Sequence, residues 1–550
     1  MEILTGAQIL IKCLEQYGVE YIFGIPGAKI DAVFDALLDS SIQVVLCRHE
    51  QNAAFMAAAY GRQTGKPGVV LVTSGPGVSN LVTGLLTATT EGDPVVAIGG
   101  NVPRHMRLKQ SHQSSDNVKL LAGATKYCVE VSMADNIPEI LANAFRAALQ
   151  PRSGASFISV PQDLLLETTQ QSVFLPAPLQ TNGAPELLLR TVATELGRAQ
   201  QPLLLLGQEA SRPENTQAIR DLLHHHPFAV IGTYQAAGVI PRDLLHCFFG
   251  RIGLFKNQPG DQILDQADLI MTIGYNPTEY DPEIWNHNNT KHIIHLDYNP
   301  AEIRLGYTPR CELIGDIATS LRQLITLLPT QQNLNDNNQL KDLQQQVVQP
   351  VEETPPELAD KVHPLCFIHE LRRILDDDTT VISDIGTHYM WLARYLFSHR
   401  PHQLLFSNGQ QTLGVALPWA IATNLARPGK KVISISGDGG FLFSAMELET
   451  AVRLRTPFVH FVWCDGTYNM VLEQQILKYK RESAVHFGYV DIVQYAHSFG
   501  ARGVRLTQSN QIAGILEEAW NYQIPTLVEV AIDYRDNLAL FQTVSQQVGN

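Results

Sequence analysis

Cysteine is scarce in this 550-residue sequence, and what there is does not pair. The seven cysteines, at positions 13, 47, 128, 247, 311, 366 and 464, are scattered, odd in number and free of any C-x-x-C. That argues against a disulfide framework and for the reduced thiols of a cytoplasmic protein. Positive charge is short as well: 40 Lys and Arg against 54 Asp and Glu leave a formal net charge of −14. Neither nucleic acid nor an anionic membrane is therefore expected as a main partner. No run of about 18 uninterrupted apolar residues occurs, so no transmembrane span is expected. The N-terminal MEILTGAQILIKCLEQYGV lacks the basic start and cleavage site of a signal peptide. Also missing is a G-x-G-x-x-G after a strand with an acidic residue downstream, which disfavours a nucleotide-binding dehydrogenase.

What is present is an ordinary globular composition, 45% hydrophobic and 17% charged. At roughly 150 residues per domain, three to four domains are expected. Strand and helix patterns alternate from Val19 to Ile98, implying a parallel α/β sheet. Within that block the spacing predicts one continuous helix over Val78–Thr89. Residues 166–185 and 329–358 are polar and Pro-bearing, and read as linkers with little to bury. They divide the chain into three α/β blocks with parallel sheets, at residues 1–165, 186–328 and 362–535.

The most informative stretch is Val432–Val471. An apolar strand ends in Gly437-Asp438-Gly439-Gly440, a helical pattern follows, and a second strand delivers Asp465. One strand–helix–strand unit brings both aspartates to the carboxyl edge of a sheet, where open α/β folds bind ligands. Two carboxylates converging there suit a hard cation holding a phosphate, although each also reads as a plain helix cap. Arg48-His49-Glu50 sits at a strand-to-helix junction, and Glu50 by itself reads as a first-turn carboxylate favoured by the helix dipole. Thr73-Ser74-Gly75-Pro76-Gly77-Val78-Ser79-Asn80 is a Gly-rich turn opening a helix. It suits either an anion or simple helix–sheet packing.

Taken together, these motifs resemble the thiamine-diphosphate (ThDP) enzyme family over nearly the whole chain. G-D-G-G…C-D-G-T-Y-N-M-V looks like its metal–diphosphate motif, and R-H-E like its activating glutamate. The three blocks correspond to its PYR, central and PP domains. Within the family the sequence looks most like the acetolactate synthases of the catabolic, flavin-independent branch. FGIPGAKID (23–31), RHEQNAAFMA (48–57), VTSGPGVSN (72–80), KQSHQSSD (109–116) and SNGQQTLGVALPWA (407–420) carry that likeness. RIGLFKNQPGD (251–261), IGYNPTEYDPEIWN (273–286) and DYRDN (533–537) add to it.

The resemblance implies decarboxylation of pyruvate and its ligation to a second pyruvate, giving 2-acetolactate and CO₂, the entry to acetoin and butanediol. It implies ThDP and Mg²⁺ as cofactors and no FAD. Asp438, Asp465 and the carbonyl of Thr467 are the implied metal ligands. Glu50 is implied to hydrogen-bond N1′ of the aminopyrimidine, and Leu413, where relatives often carry Met, to prop the two rings of the cofactor. Further cofactor contacts are implied at Pro26, Gly27, Thr73, Asn80, Gly386, Thr387, His388, Gly437, Gly439, Gly440, Tyr468, Asn469, Met470 and Val471. Gln113, Gln411 and Lys29 fall on the substrate side, Lys29 reading equally as a solvated lysine. Asp465-Gly466-Thr467 departs from the Asp-Asn-Gly common in relatives. A homodimer with shared active sites is implied, paired into a homotetramer. Competing readings are a ThDP decarboxylase or pyruvate oxidase, and a non-catalytic regulatory subunit of the same fold.

Overall fold

A computed structural model describes residues 3–175, 182–329, 341–347, 353–538 and 540–541. Three six-stranded sheets organise the chain, and every pairing within them is parallel. The first sheet runs, edge to edge, Gln43–Leu46, Tyr21–Ile25, Gly68–Val72, Val95–Asn101, Ala155–Pro161, Tyr127–Glu130. The second runs Phe248–Arg251, Ala229–Gly232, Pro202–Leu206, Leu269–Ile273, His292–Asp297, Cys311–Ile314. The third runs Leu404–Phe406, Thr380–Ser383, Val432–Gly437, Val459–Cys464, Thr526–Ala531, Arg502–Leu506. Their central strands are buried along all or nearly all of their length, which is why they read as unbroken apolar runs and not as alternation.

The first and third sheets have the same topology, 2-1-3-4-6-5 in order of appearance, the second runs 3-2-1-4-5-6, and all three reverse direction beside their first strand. The chain leaves its first strand, adds one strand (two in the second sheet) on one side, then returns to the other side. The reversal leaves a crevice beyond the carboxyl ends of the two strands that flank it. In the first sheet that crevice lies past Ile25 and Val72, and in the third past Ser383 and Gly437.

The first and third domains share one core. The helix Glu50–Thr64 packs on the helix Ala416–Ala426, and the small side chains Ala53, Ala54, Ala57, Ala416 and Ala420 are all buried in it. Glu447 from the third domain crosses this junction. One of its oxygens accepts the backbone N–H groups of Arg48 (2.8 Å) and His49 (3.0 Å) and the amide of Asn52 (3.2 Å). It thereby satisfies donors ahead of the helix that Glu50 opens.

Two expectations need correcting. The helix read over Val78–Thr89 is a turn, Pro76–Ser79, followed by a helix, Val82–Glu91, with Asn80 at the break. The linkers also carry structure: Thr168–Thr169 pairs antiparallel with Leu4–Thr5, and residues 341–347 are helical. Leu343 and Val347, four apart and so on one helix face, are buried. Within the two linkers, 176–181, 330–340 and 348–352 lie outside the described residues.

The crevice of the second sheet is filled by the protein itself. Gly207 and Gly274, past its two central strands, pack directly together. The Glu279 carboxylate accepts the N–H groups of Asn276 (2.9 Å) and Gln208 (3.1 Å) and the hydroxyl of Thr233. Burial lifts its pKa from 4.5 to about 7. The folded protein therefore holds a proton that the unfolded chain releases, a contribution complete below pH 4.5 and lost as pH rises through 7. Glu279→Gln keeps the acceptor for both N–H groups and removes the charge. Because each tenfold change in proton affinity corresponds to about 1.4 kcal/mol, the substitution is expected to stabilise the protein by about 3 kcal/mol at pH 8. That gain should fade towards pH 4.5, which denaturation of variant and parent at the two pH values measures.

Candidate active site

The crevice of the third sheet opens into a pocket of about 270 Å³. Its wall carries Gly386, Thr387, His388, Gln411, Leu413, Gly437, Asp438, Gly439, Gly440, Asp465, Thr467, Tyr468, Asn469, Met470 and Val471. Fifteen residues spread from 386 to 471 thus meet in one place, as a sheet edge with four successive strand–loop–helix units allows.

Asp438 begins the short helix Asp438–Leu442 directly at the end of its strand. One carboxylate oxygen accepts Gly439 N–H (2.9 Å); the other accepts Gly466 N–H (2.8 Å) and Asp465 N–H (3.1 Å). Burial pushes its pKa up to about 6, with Asp465 adding to the rise and the Gly466 N–H opposing it. Burial raises Asp465 as well. Two half-desolvated carboxylates side by side are costly as bare anions and suited to a cation.

The backbone supplies a third oxygen. Thr467 bridges to His486 across a short antiparallel contact, held by Phe487 N–H to Gly466 carbonyl (3.1 Å) and Tyr468 N–H to Val485 carbonyl (2.9 Å). Those bonds flank Thr467, so its own N–H and C=O turn away from the partner strand. The N–H reaches Asp465 (3.3 Å), and the hydroxyl donates to the same carboxylate at 2.6 Å. The Thr467 carbonyl therefore shares the strand edge from which its N–H reaches Asp465. Gly466 has φ +73, a left-handed conformation tolerated by Gly and by Asn, which accounts physically for the exchange of one for the other here.

The pocket also holds unspent hydrogen-bonding capacity. His388 Nε2 and Trp463 Nε1 are buried and have no partner among the described residues. Burial takes the His388 pKa down to about 3, so its ring is neutral. At Gly439 a side chain would run into the Tyr468 ring at 2.7 Å, so only glycine leaves this edge of the pocket open. Asn469 accepts from the Thr387 hydroxyl (2.7 Å) and the Asn537 amide (2.8 Å), tying three segments of the wall together. A metal-bound diphosphate fits this donor set: hard oxygens on one side, neutral N–H groups and a helix start on the other.

The other motif residues gather at the crevice of the first sheet. Gly27 packs against Thr73. Asn80 donates its amide to Glu50 at 2.9 Å, and Gly77 lies within contact range of both Thr73 and Glu50. Gln113, at φ +58, packs on Gly75 and accepts from the Ser74 hydroxyl at 3.2 Å. Lys29 is half-buried, its backbone against Gly100, and Pro26 is exposed.

One chain does not join these two half-sites: among the described residues, the pocket wall comes entirely from the third domain. Elements that build the pocket also expose apolar side chains. The helix Asn469–Tyr479 has no buried residue, and Val471, Ile476 and Tyr479 on it, with Leu442, Phe443 and Met446 nearby, are exposed. A larger cleft, of about 380 Å³, sits where the three domains meet. Its ionic walls, Arg62 with Asp93 and Arg212 with Glu209, are already paired, and it holds none of the motif residues.

Sequence reasoning missed Ile385, Trp463, Gln474 and Tyr534 on the pocket wall. Tyr534 lies within the DYRDN segment, and Trp463 and Gln474 flank the Asp465 motif, so proximity to motifs was the available signal. Glu447 and its grip on residues 48–52 had none, because the partners stand almost 400 positions apart.

Comparison with known proteins agrees with this geometry. The model of the thiamine pyrophosphate enzyme N-terminal TPP binding domain matches residues 4–120, that of the central domain 189–324, and that of the C-terminal TPP binding domain 384–530. An acetolactate synthase of Bacillus subtilis (strain 168) is 51% identical over 542 residues, covering 97% of this chain and 94% of the relative. A catabolic acetolactate synthase of Raoultella terrigena is 46% identical, covering 97% and 96%. The large subunit of acetolactate synthase isozyme 2 of Escherichia coli (strain K12) is 30% identical, covering 97% of both. The two half-sites, the three domains and these full-length likenesses lead to one conclusion: the chain belongs to the thiamine pyrophosphate enzymes, in the acetolactate synthase family.

Proposed function

We propose that the protein makes 2-acetolactate and CO₂ from two molecules of pyruvate, using ThDP and Mg²⁺ at sites shared between two copies of the chain. The observation that carries this is the division of labour between domains. One domain holds a formed metal–diphosphate pocket, another holds Glu50 with its carboxylate oriented by Asn80, and the three relatives cited above are acetolactate synthases.

Bound ThDP supplies the electron sink that lets a 2-keto acid lose CO₂ and then add to a second carbonyl. Asp438, Asp465 and the Thr467 carbonyl would hold Mg²⁺, and the start of the helix at Gly439-Gly440 with His388 would receive the diphosphate. Glu50 holds and moves a proton at N1′ of the aminopyrimidine, which needs only a short charge-assisted hydrogen bond in a dry site. Asn80 keeps the Glu50 carboxylate aimed, and Glu447 fixes the start of its helix. Leu413 supports the rings, and Gln113, Gln411 and Lys29 meet the keto acids.

The exposed apolar side chains on the elements that build the pocket support a second copy as its cover, since exposed apolar surface marks association sites. Two such dimers pairing into a tetramer is the arrangement we favour. All seven cysteines are free thiols, and no described helix is long and apolar enough to cross a membrane. Both suit a cytoplasmic enzyme.

The filled crevice of the second sheet supports the absence of FAD. Donors there that could meet a ligand are taken by Glu279. The purified protein is expected to be colourless and fully active without added flavin; stoichiometric flavin with its yellow absorbance refutes this. The function itself is tested by incubating the protein with pyruvate, ThDP and Mg²⁺, with and without 2-ketobutyrate, then acidifying and assaying acetoin. Acetaldehyde or acetyl phosphate without acetoin replaces the synthase with a decarboxylase or an oxidase.

A further inference from the structure

Glu91 ends the helix Val82–Glu91 of the first domain, and its side chain is fully buried where the domains meet. None of the roles above uses it. One carboxylate oxygen accepts the backbone N–H of Gly409 at 2.6 Å, with the Ser407 hydroxyl at 3.5 Å. The other has longer contacts, Arg62 and Gln235 both at 3.4 Å. Arg62 spends its short bonds on Asp93, at 2.6 and 2.9 Å. The best bond of Glu91 is therefore to the loop of another domain.

The contact has depth. A turn earlier on the helix, the Thr87 hydroxyl meets the Thr412 hydroxyl at 2.8 Å. A side chain at 409 would come within 3.1 Å of Thr90 and 3.2 Å of Glu91, so the loop is pressed onto the helix end. The far end of the loop is held by its own domain: buried Asp384 accepts the N–H groups of Gly414 (3.0 Å) and Ala416 (3.1 Å). Between these anchors stand Gln411, in the left-handed conformation at φ +49, and Leu413, both on the pocket wall. A non-glycine residue keeps such a conformation only where its surroundings over-determine it.

We propose that Glu91 is a positioning residue for the cofactor pocket: from the first domain it clamps the loop 407–414 and so sets where Gln411 and Leu413 stand. The proposal rests on reading that pocket as the ThDP site. A carboxylate suits the task, because its bond to an amide N–H is charge-assisted and shielded from water.

The test compares Glu91→Ala, Glu91→Gln and Asp93→Asn with the parent. The first readout is hydrogen exchange of residues 407–414 in cofactor-free protein, and the second is the ThDP dissociation constant at saturating Mg²⁺. Removing one bond to a charged group in Glu91→Ala is expected to speed exchange at Gly409 and to weaken ThDP binding, each at least about tenfold. Glu91→Gln keeps an oxygen for Gly409 and should stay within about threefold of the parent on both. Asp93→Asn breaks the neighbouring ion pair without touching the loop, so it should melt lower with both readouts unmoved. Unchanged exchange in Glu91→Ala overturns the clamp, as does an equal shift in Asp93→Asn. If Glu91→Ala does not fold, Glu91→Met, which keeps the bulk and lacks the acceptor, carries the same expectation. A parent that binds ThDP but makes no acetolactate defeats the proposed function, while the ratios between variants still judge the clamp.

Discussion

Glu50→Gln is expected to lose about 10²- to 10⁴-fold in turnover while ThDP and Mg²⁺ affinity stays near the parent's. The substitution is isosteric, and the Asn80 amide that now donates to the carboxylate at 2.9 Å can still donate to the carboxamide oxygen. That bond turns the new NH₂ towards the cofactor, where it can donate an N–H but cannot exchange a proton. Nothing in the metal–diphosphate pocket changes, since that pocket is built by another domain. Two measurements separate the effects: ThDP binding followed by fluorescence, and exchange of the cofactor's C2 proton for deuterium. The first should be unmoved and the second slowed with turnover. Near-full activity in this variant would show that Glu50 is not the proton relay.

Asp438→Ala should act in the opposite sense, abolishing cofactor binding and with it activity. Even partners one shell removed from a metal contribute about 10- to 100-fold in affinity, so loss of Asp438 in its proposed role as a direct Mg²⁺ ligand is expected to exceed that. Asp438 also accepts the N–H groups of Asp465 and Gly466, and its removal lets the second metal-bearing loop drift. Asp438→Asn keeps the one oxygen that both of these donors share and separates the two effects. If the asparagine variant folds like the parent yet still fails to retain ThDP at millimolar Mg²⁺, the charge is the cause. Parent-like ThDP affinity in both variants would remove Asp438 from the metal site.

Much of this was legible in the amino-acid order, for local reasons. Buried parallel strands are continuous apolar runs, and Val432–Val471 places Asp438 and Asp465 on adjacent strand ends, joined by one helical crossover that the structure breaks into the helices Asp438–Leu442 and Leu448–Leu454. Such a unit has essentially one way to fold. The departure at Gly466-Thr467 became intelligible only with coordinates, because φ at 466 and the bridge to His486 are set by the chain's return twenty residues later. Glu91, Asp384 and Glu447 were invisible for a related reason. Each is a carboxylate spent on backbone N–H groups far along the chain or in another domain, and no periodicity encodes that. The helical 341–347 was lost in a polar stretch because two buried side chains are too few to change its texture.

The separation of Glu50 from the Asp438 pocket has a consequence for the life of the protein in a cell. If two copies must meet before either half-site is complete, a newly made chain is catalytically silent, and output falls faster than linearly as the protein is diluted. Assembly then acts as a threshold: sparse expression leaves the keto acid to other enzymes, and abundant expression diverts it abruptly.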